Sequence, residues 1–359
     1  MSGEEGTASD ASRRTARAGA AGAAPVMADV ARLAGVSQKT VSRVVNDAPH
    51  VRGPVRDRVN AAIAELGYRP NAAARALVTQ RSRVIGVVTP GTALYGPSAQ
   101  LVGVERAAWQ AGYRVVISST VDASSQELVR AVRELLDHGV DGVVVASPVS
   151  TAAAPADLLR GVAAVSLDPV QGELGRTAVM VDQRSGARAV VEHLLALGHR
   201  TVWHVSGPPS WHAAAARRDA WRDALTAAGA PVPEPWVGDW SARAGYAAGL
   251  ELAARPEVTA IFAANDQMAL GVMRALFERG RRIPQDVSVA GFDDIPEAEY
   301  LQVPLTTVRL DFDAMARRAV AELLAAIRGD GPAGDAALFG VDLIVRASTG
   351  PAPDPSEGP

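Results

Sequence analysis

From Val84 onward, short apolar runs alternate with amphipathic helical stretches, and this alternation restricts the fold more than any other feature of the chain. Strand-like runs fall at Val84–Val88, Arg114–Ile117, Gly142–Ala146, Ala163–Leu167, Val179–Val181, Thr201–Val205, Ala260–Ala263 and Val287–Ala290. Helical patterns lie between them, among them Ser125–His138, Ser185–Leu197, Ala214–Ala228, Asp266–Arg279 and Asp313–Ile327. Runs this short and this uniformly apolar are satisfied in a parallel sheet covered by helices on both faces. There are too many units for one sheet, so the expectation is an α/β core of two doubly wound lobes. The chain is expected to cross between them near Val181, Thr307 and Gly329–Ala333. Lobe 1 then holds about 82–181 and 308–330, and lobe 2 about 182–307 and 334–350. The cleft at the carboxyl ends of the strands is the expected ligand site.

The segment before this core follows a different period. Met27, Val30, Ala31 and Ala34 recur at helical spacing, and Gly35 stops that helix because glycine takes the left-handed conformation cheaply. Ser37 caps a second helix in which Val41, Val44 and Val45 face inward and Gln38, Lys39, Ser42 and Arg43 outward. Pro54 suits the first turn of a third, whose stripe is Val55, Val59, Ala62, Ile63 and Leu66. Residues 25–69 therefore read as a small three-helix unit. A short helix and linker over 70–81 follow, and 1–24 and 351–359 are expected to be disordered tails. Pro25–Arg83 carries ten basic residues against four acidic ones, a balance of +6 in a chain whose total is −3. With the first 24 residues neutral, the rest carries −9. A basic tip on an acidic body fits a polyanionic partner held at one end.

Several chemistries are excluded or disfavoured by composition. Without cysteine there is no disulfide, thiolate metal site or cysteine nucleophile, and none of the six histidines has a metal-binding spacing. No cofactor is expected. No nucleophile–base pair, opposed carboxylates or phosphate loop marks an enzyme, since Asp293 and Asp294 are merely adjacent. No run approaches the roughly 18 apolar residues of a membrane span. Ala18–Ala24 is too short and weakly apolar for a signal-peptide core, so a cytoplasmic location is expected.

Asp29–Asn46, reading DVARLAGVSQKTVSRVVN, closely resembles the headpiece signature of the LacI/GalR family of transcriptional regulators. Arg69–Leu77 (RPNAAARAL) resembles that family's hinge helix. Ala264–Gly271, Asp286–Asp294 and Pro304–Val308 resemble its periplasmic-binding-protein-like core. Together these segments span roughly residues 26–347. The resemblance implies a helix-turn-helix headpiece, a hinge helix, a two-lobed core and a homodimer on a palindromic operator. One departure is Val26, where the family usually places the Ser or Thr that caps the first helix. The proline-rich end after Arg346 shows no leucine heptad for a tetramer.

By the same resemblance Gln38, Lys39 and Arg43 would read base edges in the major groove. Ser37, Thr40, Ser42 and Asn46 would hold phosphates, and Leu77 would wedge into the minor groove. In the core, Asp168, Arg217, Asn265 and Asp293 match effector-contacting positions. Trp240 offers an aromatic face to a sugar ring, Pro97 and Ser98 match a pocket wall, and Phe312 a pocket aromatic. Ala146, Ala213 and Leu310 stand where sugar-binding members carry polar contacts, which suggests a different or larger saccharide, such as a glycoside or disaccharide. Trp211 and His212 are placed to extend the site. The expected function is a repressor controlled by a small sugar or glycoside, by induction or corepression. A purine- or nucleoside-responsive regulator remains open, as do, more remotely, a sugar transport protein and an enzyme.

Overall fold

In the computed structural model, the described residues are 24–46, 48–69, 81–121, 124–147, 159, 161–168, 178–330 and 337–354. They fall into two units, divided between Ser82 and Arg83.

The first unit is three helices: α1 (Met27–Ala34), α2 (Gln38–Val45) and α3 (Gly53–Leu66). Val30, Ala31, Ala34, Val41, Val44, Val59, Ala62 and Tyr68 form its buried core, with Met27, Val45, Ile63 and Leu66 packed around them. Gly35 closes α1 at φ 64°, as its sequence position requires. Val26 caps α1 without a side-chain acceptor, but its own N–H donates to the Asp29 carboxylate at 3.0 Å. One half of a capping arrangement is therefore present and the other missing. The hinge segment with Leu77 lies outside the described residues, as does the N-terminal tail through residue 23.

The second unit carries two parallel sheets. The first is built from β1 (Val84–Pro90), β2 (Arg114–Thr120), β3 (Gly142–Val145) and β4 (Ala163–Ser166) in the order β2-β1-β3-β4. Helices α4 (Tyr95–Gln110) and α5 (Ser125–Asp137) cover it. β3 is buried at all four positions, as a central strand between helical layers must be. A bridge between Ser166 and Ala178 continues the sheet into β5 (Val179–Val181).

The chain then passes through α6 (Gln183–Ala196), β6 (Trp203–Ser206), α7 (His212–Ala227), β7 (Trp236–Val237), α8 (Ala242–Ala253), β8 (Ala260–Ala263), α9 (Asp266–Glu278) and β9 (Ser288–Ala290). The second sheet has the order β7-β6-β8-β9. α8 and α9 cross in backbone contact, because a Cβ on Gly245 would overlap the Met268 carbonyl and one on Gly271 that of Ala242.

The remaining elements are β10 (Thr307–Leu310), α10 (Phe312–Arg328), β11 (Ala337–Phe339) and β12 (Val341–Ile344), and they move two expected crossings. β10 pairs antiparallel with β12 and bridges from Asp293 to Arg309, so it belongs to lobe 2. The chain enters lobe 1 at Asp311 rather than Thr307, with α10 packed on the lobe 1 core. β11 pairs with β5 in lobe 1, so the last crossing falls at Gly340 rather than Gly329–Ala333. Order also continues past residue 350: the Ala352 N–H donates to Leu197 O at 2.9 Å. No helix among the described residues is long and apolar enough to cross a membrane.

Candidate functional site

The three-helix unit presents one polar helix face. Ser37 Oγ accepts from the Thr40 N–H at 3.2 Å and lies 2.9 Å from the Thr40 hydroxyl, which starts α2 cleanly. With Val41 and Val44 buried, the helix period leaves Gln38, Lys39 and Arg43 exposed together on the opposite side. Ser42 is half-buried and accepts from the exposed Asn46 side chain at 3.3 Å. Arg56 donates to Ala48 O at 3.0 Å and ties the following turn to α3. Gln38, Lys39 and Arg43 are thus free of the unit's own packing. Ser37, Thr40, Ser42 and Asn46 are already linked to one another in pairs.

In the core, a partly open cleft lies between the lobes, the usual place for a small-molecule site in a two-lobed fold. Lobe 1 contributes Leu94, Tyr95, Pro97 and Gln100 around the start of α4, and Asp168 beyond β4. Lobe 2 contributes Gln183, Trp211, Arg217, Trp240, Asn265 and Asp293, while Leu310 and Phe312 flank the crossing. The sequence expectation of Pro97, Asp168, Arg217, Trp240, Asn265, Asp293 and Phe312 in one place therefore agrees with the geometry. Ser98 is not in the wall. It sits in the first turn of α4 with its N–H bonded to Leu94 O, and at about 100° per residue Gly96, Pro97 and Gln100 share the cavity side instead. Leu94, Tyr95, Gln100 and Gln183 line the site without having been picked out in the sequence. Gln100 lies one helical turn beyond Pro97, a spacing that would have found it had α4 been recognised.

Arg217 is the centre of the polar wall. Its Nε–H donates to Gln183 Oε1 at 2.9 Å, Nη1 donates to Ala264 O, and Nη2 donates to Asp293 Oδ1 at 3.2 Å. The guanidinium lies 3.7 Å from the Phe292 ring centroid and 5.8 Å from that of Trp240. Of five N–H donors three are used, which leaves two for a ligand. Asn265 is committed differently. Its Oδ1 caps α9 and its amide donates to Trp240 O at 3.1 Å and to Gln267 at 2.9 Å, so it chiefly positions the Trp240 backbone. That backbone needs holding: Trp240 and Asp293 have φ values of 75° and 110°, in the left-handed region that side chains normally avoid. Trp240 is only 5% exposed and meets Trp211 edge-on at 5.5 Å, so most of its ring is core and the remainder cavity wall.

Two buried polar atoms in this wall have no partner among the described residues: Asp168 Oδ2 and Trp240 Nε1. Burial pushes the Asp168 carboxyl up to about 7. Burial raises Asp293 to about 6 against the opposing pull of Arg217. Behind the wall, burial and the nearby Asp293 raise Asp266 to about 8, although it accepts from Thr307 Oγ1 at 2.6 Å and the Ile295 N–H at 2.9 Å. No cluster of three or more candidate metal ligands occurs among the described residues.

Comparison with known proteins fits both halves of this arrangement. Residues 26–71 match the profile of bacterial regulatory proteins of the lacI family, and 191–349 that of a periplasmic binding protein-like domain. The chain is 37% identical to the lactose operon repressor of Escherichia coli K12 over 324 residues, 89% of each chain. It is 34% identical to the transcriptional regulator CelR of Thermobifida fusca, over 90% of this chain and 98% of CelR. Among solved structures, the lac repressor dimer bound to operator and the anti-inducer ONPF superposes with a TM-score of 0.82 at 35% identity, covering 91% of this chain and all of that one. A CelR–cellobiose complex gives 0.68 at 32% identity, covering 90% and 99%. A headpiece profile, a core profile and relatives aligned along nearly the whole length make this chain a member of the LacI family of bacterial transcriptional regulators.

Proposed function

We propose that this regulator is a homodimeric repressor of a palindromic operator, released when a neutral sugar or glycoside binds between the lobes. The observation that carries the effector reading is the pairing, in one cavity wall, of an unpartnered buried acceptor with an unpartnered buried donor. Asp168 Oδ2 and Trp240 Nε1 are both unsatisfied, beside two spare N–H groups of Arg217. Leaving each such group unmet costs about 1–3 kcal/mol. A polyhydroxylated ligand donates and accepts through the same atoms and so suits a wall of this mixed polarity, while its C–H face lies on Trp240 and Phe312. The cellobiose-bound relative supports this ligand class.

On the DNA side, Gln38, Lys39 and Arg43 are assigned to base edges and Ser37, Thr40, Ser42 and Asn46 to phosphates. Leu77 is assigned as the minor-groove wedge. Exposed apolar side chains suit a second copy, with Val102, Trp109 (65% exposed) and Ile117 on lobe 1 and Phe277 and Tyr300 (81%) on lobe 2. The protein acts in the cytoplasm, where its operator lies. Mechanistically, the sugar binds one lobe arrangement more tightly than the other and so shifts the hinge equilibrium. A duplex-binding assay against random and palindromic DNA at several salt concentrations tests the DNA half. A salt-sensitive preference for a palindrome is expected, and equal binding to all duplexes refutes it. Calorimetry with saccharides and nucleosides tests the effector half, which binding by nucleosides alone would refute.

A further inference from the structure

The turn that carries Asp293 into the cavity wall is strained at two consecutive residues. Asp293 and Asp294 have φ values of 110° and 51°, and neither is glycine, which takes such values without steric cost. A turn of this kind persists only where its surroundings over-determine it.

The surroundings converge on Asp266, the first residue of α9, which is fully buried behind the wall. Its N–H donates to Phe292 O at 2.9 Å and its Oδ2 accepts from the Ile295 N–H at 2.9 Å, so one residue grips the chain on both sides of the strained pair. Its Oδ1 accepts from the Thr307 hydroxyl at 2.6 Å, and Thr307 Oγ1 in turn accepts from the Asp294 N–H at 3.3 Å. A Cβ on Gly291 would overlap Asp266 Oδ1, so the strand end gives up a side chain to admit the carboxyl group. An acidic residue in the first turn of a helix also complements the helix dipole. That role needs neither the Ile295 N–H nor the Thr307 hydroxyl, and Asn265 already caps α9.

The two aspartates of the turn are committed in different directions. The Asp294 carboxylate accepts from Arg309 at 2.6 Å and Arg346 at 2.7 Å, while Asp293 takes Arg217 at 3.2 Å. Relaxing φ at Asp293 to an ordinary negative value would swing its side chain off the guanidinium.

We propose that Asp266 is a positioning residue of the effector site. From behind the cavity it keeps the turn left-handed through Ile295 and Thr307, and the turn keeps the Asp293 carboxylate on Arg217. This rests on the reading of Arg217 and Asp293 as effector contacts and adds a residue outside that contact set. The start of α9 then supports both strained parts of the wall, Trp240 through Asn265 and Asp293 through Asp266.

The test uses the full-length protein and the variants Thr307→Val, Thr307→Ser and Asp266→Asn. Valine has the shape of threonine without the hydroxyl, serine restores the hydroxyl, and asparagine replaces one acceptor by a donor. The first readout needs no ligand: amide hydrogen exchange over residues 291–296, followed by mass spectrometry. Exchange there is expected to be about tenfold faster in Thr307→Val and Asp266→Asn, the effect of one lost buried hydrogen bond on local opening. The second readout is calorimetry with glucose, galactose, lactose and cellobiose as probes. The tightest of these is expected to bind about tenfold more weakly to Thr307→Val and Asp266→Asn, and within about twofold of the parent to Thr307→Ser. Thermal melting confirms the fold, and should Asp266→Asn fail to fold, the threonine pair carries both readouts. A purely structural role would lower the melting temperature and leave saccharide affinity in place. Unchanged exchange in Thr307→Val, unchanged saccharide affinity, or a serine variant as impaired as the valine variant overturns the proposal. If none of the sugars binds the parent, the sugar reading fails, and exchange alone decides whether Asp266 holds the turn.

Discussion

Asp168→Asn is expected to make the ligand-free protein less sensitive to rising pH while weakening its grip on the effector. The Asp168 carboxyl accepts from no side chain among the described residues and is moved by burial from 3.8 to about 7. A folded-state value above the unfolded one means that the folded protein holds the proton more tightly. The group imposes no penalty below pH 3.8. The penalty grows as pH rises toward 7 and is constant above, reaching about 4 kcal/mol. Asparagine has nearly the same shape and never ionises. Its amide also lacks partners, which costs a similar amount at every pH and drops out of a pH series. The stability difference between variant and parent should therefore move in the variant's favour by about 2–3 kcal/mol between pH 5 and pH 8. Asp266 and Asp293 titrate in both proteins and cancel. Urea unfolding of the full chain, followed by tryptophan fluorescence at five pH values, measures this difference. Hydroxyls donating to Asp168 favour its ionised form, so the parent should bind effector more tightly as pH rises through 7 and release a proton on binding. The variant should do neither. A stability difference that stays flat from pH 5 to pH 8 would refute the argument that burial holds this carboxyl protonated.

Other expectations follow from single side chains. Arg217→Ala leaves buried Asp293 without its cation and should lower core stability by about 3–5 kcal/mol and abolish effector binding, measured by urea unfolding and calorimetry. Val26→Ser completes the cap of α1 and should raise headpiece stability by about 1 kcal/mol in thermal denaturation of that unit, since only the Asp29 half exists now. Leu77→Ala should weaken operator binding strongly in a mobility-shift assay and leave effector affinity unchanged. An unaltered operator affinity removes the wedge.

Much of the architecture was legible because the physics is local. Val143, Val144 and Val145 can only be a strand buried on both faces, and Val41 and Val44 at helical spacing dictate which side of α2 is free. The cavity residues Asp168, Arg217 and Asp293 were legible only through the family resemblance, since Arg217 lies within α7 and its pairing with Asp293 is set by tertiary packing. What escaped depends on tertiary pairing or on misleading local signals. Gly96 and Pro97 carry little helix propensity, yet both lie in the first turn of α4, where proline's missing N–H costs nothing. Gln100 was hidden with that helix. The crossings at Asp311 and Gly340 are fixed by β10 pairing with β12 and β11 with β5, and no single segment announces its partner. Asn265 carries the residue type of a ligand contact, but its amide is spent holding Trp240 in a left-handed backbone, which only the folded geometry reveals.

The central claim is that the interlobe cavity and the DNA-binding helix share one free-energy balance. Fluorescence anisotropy with a labelled palindromic operator, in the absence and presence of saturating saccharide, tests it most directly. The account predicts that operator affinity falls roughly 5–150-fold with saccharide bound, and that saccharide affinity falls by the same factor on operator-bound protein. Operator binding that is identical with the cavity empty and full would contradict it.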